Sequence, residues 1–290
     1  MEGPTGRGGE ATDWVALAWI VGVFAITGLG MLPLYVYRLD LSKLTFSSSV
    51  PIVAGIGIEL TAYAPTLAAL LAVTVMREPR GIRRLLKPVL TWRVAVHWYV
   101  IAVAGSAVLF LAADLVRAIV RAPLPANWVT FPGAAATAFL VGALIAGSFG
   151  EEVGWRGLGQ RRLQSRYGAL AAALVVGFIW GLWHLWPVAA PGGLNGTTWL
   201  DAVLTVARLM SMSILFAWLF NSAQGSLLIV MLAHAGYNIG IRLVPSVSGD
   251  HADPYAVAMF VLAALAVVAA TGPRWLRRGH PHPESRSAHA

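Results

Sequence analysis

Of the 290 residues, 58% are hydrophobic and only 12% charged, against about a quarter charged in soluble domains. A mean hydropathy of +0.70, with several apolar runs near twenty residues long, excludes an ordinary soluble domain and predicts an all-α polytopic membrane protein. The net charge of +8 falls mostly in short segments beside apolar runs, where it sets topology and meets anionic lipid; it predicts no nucleic-acid partner. The absence of cysteine removes disulfides, thiol catalysis and thiolate metal ligands.

In chain order, residues 1–12 read as a Gly-rich mobile start. Predicted spans follow at about 14–37, 50–76, 95–116, 133–155, 169–188, 200–220, 226–243 and 255–271. They form one transmembrane domain over 13–271, and a disordered basic tail over 272–290 closes the chain. Between spans two and three, residues 77–93 hold six basic side chains mixed with Leu and Ile, the composition of an interfacial amphipathic helix. Eight spans put both termini on one side. Placing 77–93 and 156–166 inside collects 15 of the 21 Lys and Arg residues there, which predicts both termini cytoplasmic and a bacterial cytoplasmic membrane as the location.

The polar residues inside these spans carry the functional signal, because a charge at membrane depth is costly and a functional candidate by default. Span four ends in Gly150-Glu151-Glu152-Val153-Gly154-Trp155-Arg156. Glu152 and Arg156 are four apart and share a helix face, so they can pair; Glu151 points about 100° away, without that partner. The chain turns at Tyr167-Gly168, almost midway to His184. Two antiparallel helices of about 16 residues, roughly 24 Å each, then bring Glu151 and His184 to one level. Span seven offers His234 and Asn238 on a single face. Glu151, His184, His234 and Asn238 together suit hydrolysis: a carboxylate and an imidazole deprotonate water, and a second imidazole with an amide bonds the oxyanion. Glu152 with Arg156 reads as a structural tie, and Trp180, Trp183 and Trp186 as packing or interfacial residues. Glu59, Asp114 and Arg208 are candidates for structural pairing.

The run Glu151-Glu152-Val153-Gly154-Trp155-Arg156 resembles the EExxxR motif of the CPBP family, which comprises CAAX prenyl endopeptidases and bacteriocin-processing or abortive-infection-type membrane proteases. Trp180-Gly181-Leu182-Trp183-His184 is similar to its FxxxH motif, with Trp180 in the place of Phe, and His234 to Asn238 matches its HxxxN/D motif. The motif core covers about 133–243. The resemblance implies an eight-helix intramembrane endopeptidase acting on a membrane-associated protein or peptide. In it Glu151 and His184 activate water, His234 and Asn238 stabilise the oxyanion, and Glu152, Arg156 and Trp180 support them. The chain has no HExxH, so a glutamate-dependent reaction without a cofactor is the favoured expectation; if zinc takes part, its ligands come from Glu151, His184 and His234. The competing readings are a non-catalytic scaffold or immunity protein of the same family, and a transporter using the buried carboxylates. The sequence does not set the oligomeric state.

Overall fold

A computed structural model describes residues 13–40, 43, 49–131, 142, 147–193, 198–247 and 252–278, and every regular element among them is helical. Asp13 starts the first helix, α1 (Trp14–Val36), its carboxylate accepting the Ala16 N–H as an N-cap. Helix α2 (Ile52–Val75) packs against α1 with backbones nearly touching: a Cβ on Gly30 would lie 2.6 Å from the Gly57 carbonyl oxygen. Such small-residue contacts let helices associate in lipid, where apolar side chains gain nothing from leaving the solvent.

The basic segment then forms only a six-residue helix, α3 (Gly81–Leu86), and a 3₁₀ turn at Lys87–Leu90. It is shorter than predicted because Pro88 has no N–H with which to continue the helix. Helix α4 (Val96–Ile119) follows. Helix α5 is composite: Gly150–Glu152 leads into a π-helical stretch, Val153–Gln160, and then Arg161–Tyr167. It ends at Gly168, whose φ of +84° turns the chain into α6 (Ala169–Trp183), where the sequence predicts the turn. The short α7 (Trp186–Ala189) extends α6. The remaining helices are α8 (Trp199–Ser222), opened by a Thr198/Asp201 capping box, α9 (Leu227–Leu243) and α10 (Pro254–Thr271).

Six of these are long and apolar enough to cross a membrane: α1, α2, α4, α6 taken with α7, α8 and α10. Helix α9 is also apolar but only 17 residues long. Predicted span four lies outside the described residues before Gly147, except for Gly142. The exterior is apolar where lipid would lie, with Val21, Ile56, Val108, Leu262 and Leu265 among the large exposed side chains. The chain is an all-helical polytopic integral membrane protein.

One end of the bundle is stitched by the basic segments. Arg162 donates to Asp13 at 2.9 Å and also pairs with Glu78, so α5 is tied to the start of α1 and the end of α2. Arg161 donates to the Arg84 carbonyl at 2.9 Å. The N–H groups of Ala169 and Leu170 donate to the carbonyls of Arg274 and Pro273. Here the structure corrects the predicted tail: residues 272–278 pack on the bundle, with Leu276 fully buried and the Trp275 carbonyl accepting from Asn221. Leu276 adds apolar burial that the charge-based reading of the tail left out. Residues 1–12 and 279–290 lie outside the described residues. At the other end, Arg117 on α4 binds Asp114 at 3.1 Å and pairs with Asp253, the N-cap of α10. Asp114 is thus committed to Arg117, and neither it nor Glu59 pairs with Arg208.

Candidate active site

The glycines of the first motif seat it. On Gly150 a Cβ would stand 2.9 Å from the Ala62 carbonyl oxygen, and on Gly154 2.3 Å from that of Pro65. Only hydrogen fits at these two positions, so α5 lies directly on α2. The Thr66 hydroxyl donates to the Phe149 carbonyl at 3.0 Å across the same seam. With that face against α2, both carboxylates turn inward: Glu152 and Arg156 are 0% exposed and Glu151 6%. The π-helical turn falls across the motif, a distortion that widens the helix and is common at functional sites.

Each glutamate then meets a donor four residues on. Arg156 donates to both oxygens of Glu152, at 3.1 and 3.2 Å, as the spacing predicts. Its guanidinium lies 4.5 Å from the Trp180 ring and 5.0 Å from that of Phe216. Glu151 is not bare. Its Oε2 accepts the indole N–H of Trp155 at 3.2 Å and that of Trp180 at 2.6 Å. Trp180 is therefore more than a packing residue, since phenylalanine has no N–H to offer. Sequence reasoning missed Trp155, although its i+4 offset from Glu151 was available as a signal; Phe216, on a helix outside the motifs, left none.

His234 joins the two carboxylates. Its Nδ1–H donates to Glu152 Oε1 at 2.7 Å, which turns Nε2 toward Glu151 Oε1, 3.8 Å away. That gap is too long for a direct hydrogen bond and is of a width that one water, at about 2.8 Å from each atom, would bridge. With Nδ1–H given to Glu152, His234 can also donate from Nε2 only as the imidazolium. In that form it balances the net negative charge of Glu151, Glu152 and Arg156. One turn on, Asn238 points to the same place. A Cβ on Gly147 would fall 2.7 Å from Asn238 Nδ2 and 3.9 Å from His234 Nε2, so both groups face the backbone of that glycine.

His184 caps the C-terminus of α6. Its Nδ1 lies 3.1 Å from the Trp180 carbonyl oxygen, which can only accept, so Nδ1 carries the proton and Nε2 the lone pair. Its ring meets Trp180 edge-on at 5.5 Å, and Trp180 in turn touches Glu151 and His234. The structure thus joins Glu151, Glu152, Arg156, Trp180 and His234 directly, sets Asn238 beside them across Gly147, and links His184 through Trp180. Glu151 and His234 are buried, whereas His184 and Asn238 are half-buried and open to approach. A cavity of about 450 Å³ between α4, α8 and α10 contains none of these residues.

Zinc would need three convergent protein donors. Among the described residues no three His, Asp or Glu side chains are disposed to hold a metal ion. Glu152 is spent on Arg156 and His234, two indoles occupy one oxygen of Glu151, and Nδ1 of His184 faces the Trp180 carbonyl. The donor set does not fit a zinc centre.

A membrane-embedded helical bundle enclosing a carboxylate–imidazole site defines the class of this protein. Residues 132–240 match the family model described as type II CAAX prenyl endopeptidase Rce1-like, a stretch that includes all three motifs. The chain is also 29% identical, over 108 residues, to CAAX prenyl protease 2 of Methanococcus maripaludis. That similarity covers 35% of this chain and 38% of the archaeal protein.

Proposed function

We propose that this protein is an intramembrane endopeptidase that cleaves membrane-associated peptides with water activated by Glu151. The observation that carries this reading is the 3.8 Å gap between Glu151 Oε1 and His234 Nε2, beside the Asn238 amide. Glu151 Oε1 takes a proton from a water held there, and the resulting hydroxide adds to the scissile carbonyl. The carbonyl oxygen, now negative, accepts from Asn238 Nδ2–H and from the His234 imidazolium. Collapse of this intermediate breaks the C–N bond, and the proton held by Glu151 passes to the departing amine. His184, with its Nε2 lone pair, accepts a hydrogen bond from the water or the new amine. The indole N–H groups of Trp155 and Trp180 fix the second oxygen of Glu151, so its basic oxygen points one way. No metal enters this scheme.

The relative's printed name extends the reading to prenylated C-terminal peptides, whose lipid would place them at the bundle. Eight spans with the basic end in the cytoplasm complete the proposal.

The test is a variant series assayed on a reconstituted S-farnesyl peptide. Removing the base by Glu151→Gln should cost about 10²–10⁴ in rate, and Asn238→Ala about 10²–10³ in kcat. Both should leave the thermal transition nearly unchanged. Full activity in Glu151→Gln would remove the base from the scheme, while a folded wild type inert on every peptide would favour the scaffold reading.

A further inference from the structure

Arg208 sits in α8 about nine residues past its start, roughly 13 Å into the apolar layer. A cation at that depth is costly unless paired, and it marks a functional site when its partner is missing. Among the described residues no carboxylate pairs with it. Asp114 is held by Arg117, Glu152 by Arg156 and His234, and Glu151 by two indoles. What the guanidinium does meet is the Tyr237 ring, 5.7 Å from its centre. Arg208 Nε and Tyr237 Oη are both buried with no hydrogen-bond partner among the described residues, and Tyr237 is 7% exposed. Two adjacent donors in a low-dielectric layer therefore await an acceptor, where an unmade bond costs about 1–3 kcal/mol.

Their position ties them to the site. Tyr237 immediately precedes Asn238 on α9, and Arg208 lies within electrostatic range of His184. The Tyr237 ring packs on Phe110 and Phe260, so it is through Arg208 that a bound anion would come within electrostatic reach of His184. The anion a peptide brings is a carboxylate, and a planar guanidinium with a neighbouring hydroxyl suits its geometry.

We propose that Arg208 and Tyr237 form a recognition subsite for a carboxylate of the peptide substrate, held next to His184 and Asn238. The proposal rests on the protease reading and adds a requirement to it: the substrate carries its negative charge close to the scissile bond. Either the C-terminal carboxylate or an acidic side chain could supply that charge.

Three fluorescent peptides separate these sources, each an S-farnesyl-cysteine followed by three residues. One ends in a free acid, one in a carboxamide, and one in a carboxamide with glutamate as its last residue. Binding is read by anisotropy to full-length Glu151→Gln protein in micelles, which holds peptide without turnover. The free acid should bind about tenfold or more tightly than the plain amide. Arg208→Gln should abolish that preference and Arg208→Lys should keep part of it. Tyr237→Phe, which removes only a hydroxyl, should lower it about threefold; this variant decides the matter if Arg208→Gln does not fold. Recovery of tight binding by the glutamate peptide assigns the site to side-chain carboxylates. Equal binding of acid and plain amide peptides, with no gain from the glutamate, overturns the proposal, as does a preference that survives both Arg208→Gln and Tyr237→Phe. Cleavage of the same peptides by wild-type protein is read in parallel. No cleavage with the binding preference intact defeats the protease reading alone, whereas cleavage without preference defeats the subsite alone.

Discussion

Replacing Arg156 by methionine separates structural from chemical roles in the motif. Methionine keeps much of the apolar stem but removes the charge that neutralises Glu152. In the wild type that charge makes contacts of 3.1 and 3.2 Å to the two carboxylate oxygens and lies over Trp180 and Phe216, with Arg156, Glu152 and Trp180 at 0% exposure and Phe216 at 3%. Breaking a buried pair from one side typically costs about 3–5 kcal/mol, since the remaining charge stays in a low dielectric. The lost contact with two aromatic faces adds to this, and the Nδ1–H of His234, still on Glu152, offsets part of it. The net loss should therefore stay near about 3–5 kcal/mol, or roughly 6–10 °C in the melting temperature. Differential scanning fluorimetry in one detergent, with wild type alongside, reads this directly. The double variant Glu152→Gln/Arg156→Met should melt above Arg156→Met, because no stranded charge is left. A single variant within about 1 °C of wild type, or a double variant that simply sums the two losses, would refute the reasoning.

Three further outcomes follow from the same contacts. Gly147→Ala should leave the melting temperature unchanged while lowering kcat, because the new methyl meets the Asn238 amide at 2.7 Å, a flexible side-chain end that can swing away; an unfolded variant or undiminished turnover would contradict this. Asp13 is held below its usual 3.8: burial raises it, but the Ala16 N–H and the Arg162 guanidinium outweigh burial. Its stabilisation is accordingly present above pH 3.8 and lost as pH falls through the lower folded value, so a melting series toward pH 3 should fall less steeply in Asp13→Asn than in wild type. Reporter fusions at Asn195 and at the C-terminus should report opposite sides of the membrane, and the same side for both would overturn the proposed orientation.

How far the sequence anticipates this structure depends on which forces act locally. The Glu152–Arg156 pair and the turn at Gly168 were legible, since i,i+4 spacing and a glycine at a helix end act within a few residues. The co-facing His234 and Asn238 were legible for the same reason. The two indole donors to Glu151 were not, because tryptophan in a membrane protein reads first as an anchor, and only tertiary contact reveals where its N–H goes. The π-helical turn was hidden as well. It arises where glycine after glycine on α5 is pressed against α2, Trp19 and Leu227, which periodicity along one segment does not encode. Arg208 was noticed, but of its expected carboxylate partners Asp114 is bound by Arg117 and Glu59 makes no ion pair with it; pairing among membrane charges is decided by helix neighbours that sequence spacing does not specify.

The most direct measurement places purified protein in liposomes with the S-farnesyl free-acid peptide and maps products by mass spectrometry, with and without exhaustive chelation. Wild type should release one defined C-terminal fragment at the same rate in both conditions, and Glu151→Gln should release none. Cleavage by Glu151→Gln at the wild-type rate would contradict the account, as would activity lost to the chelator and restored by stoichiometric zinc.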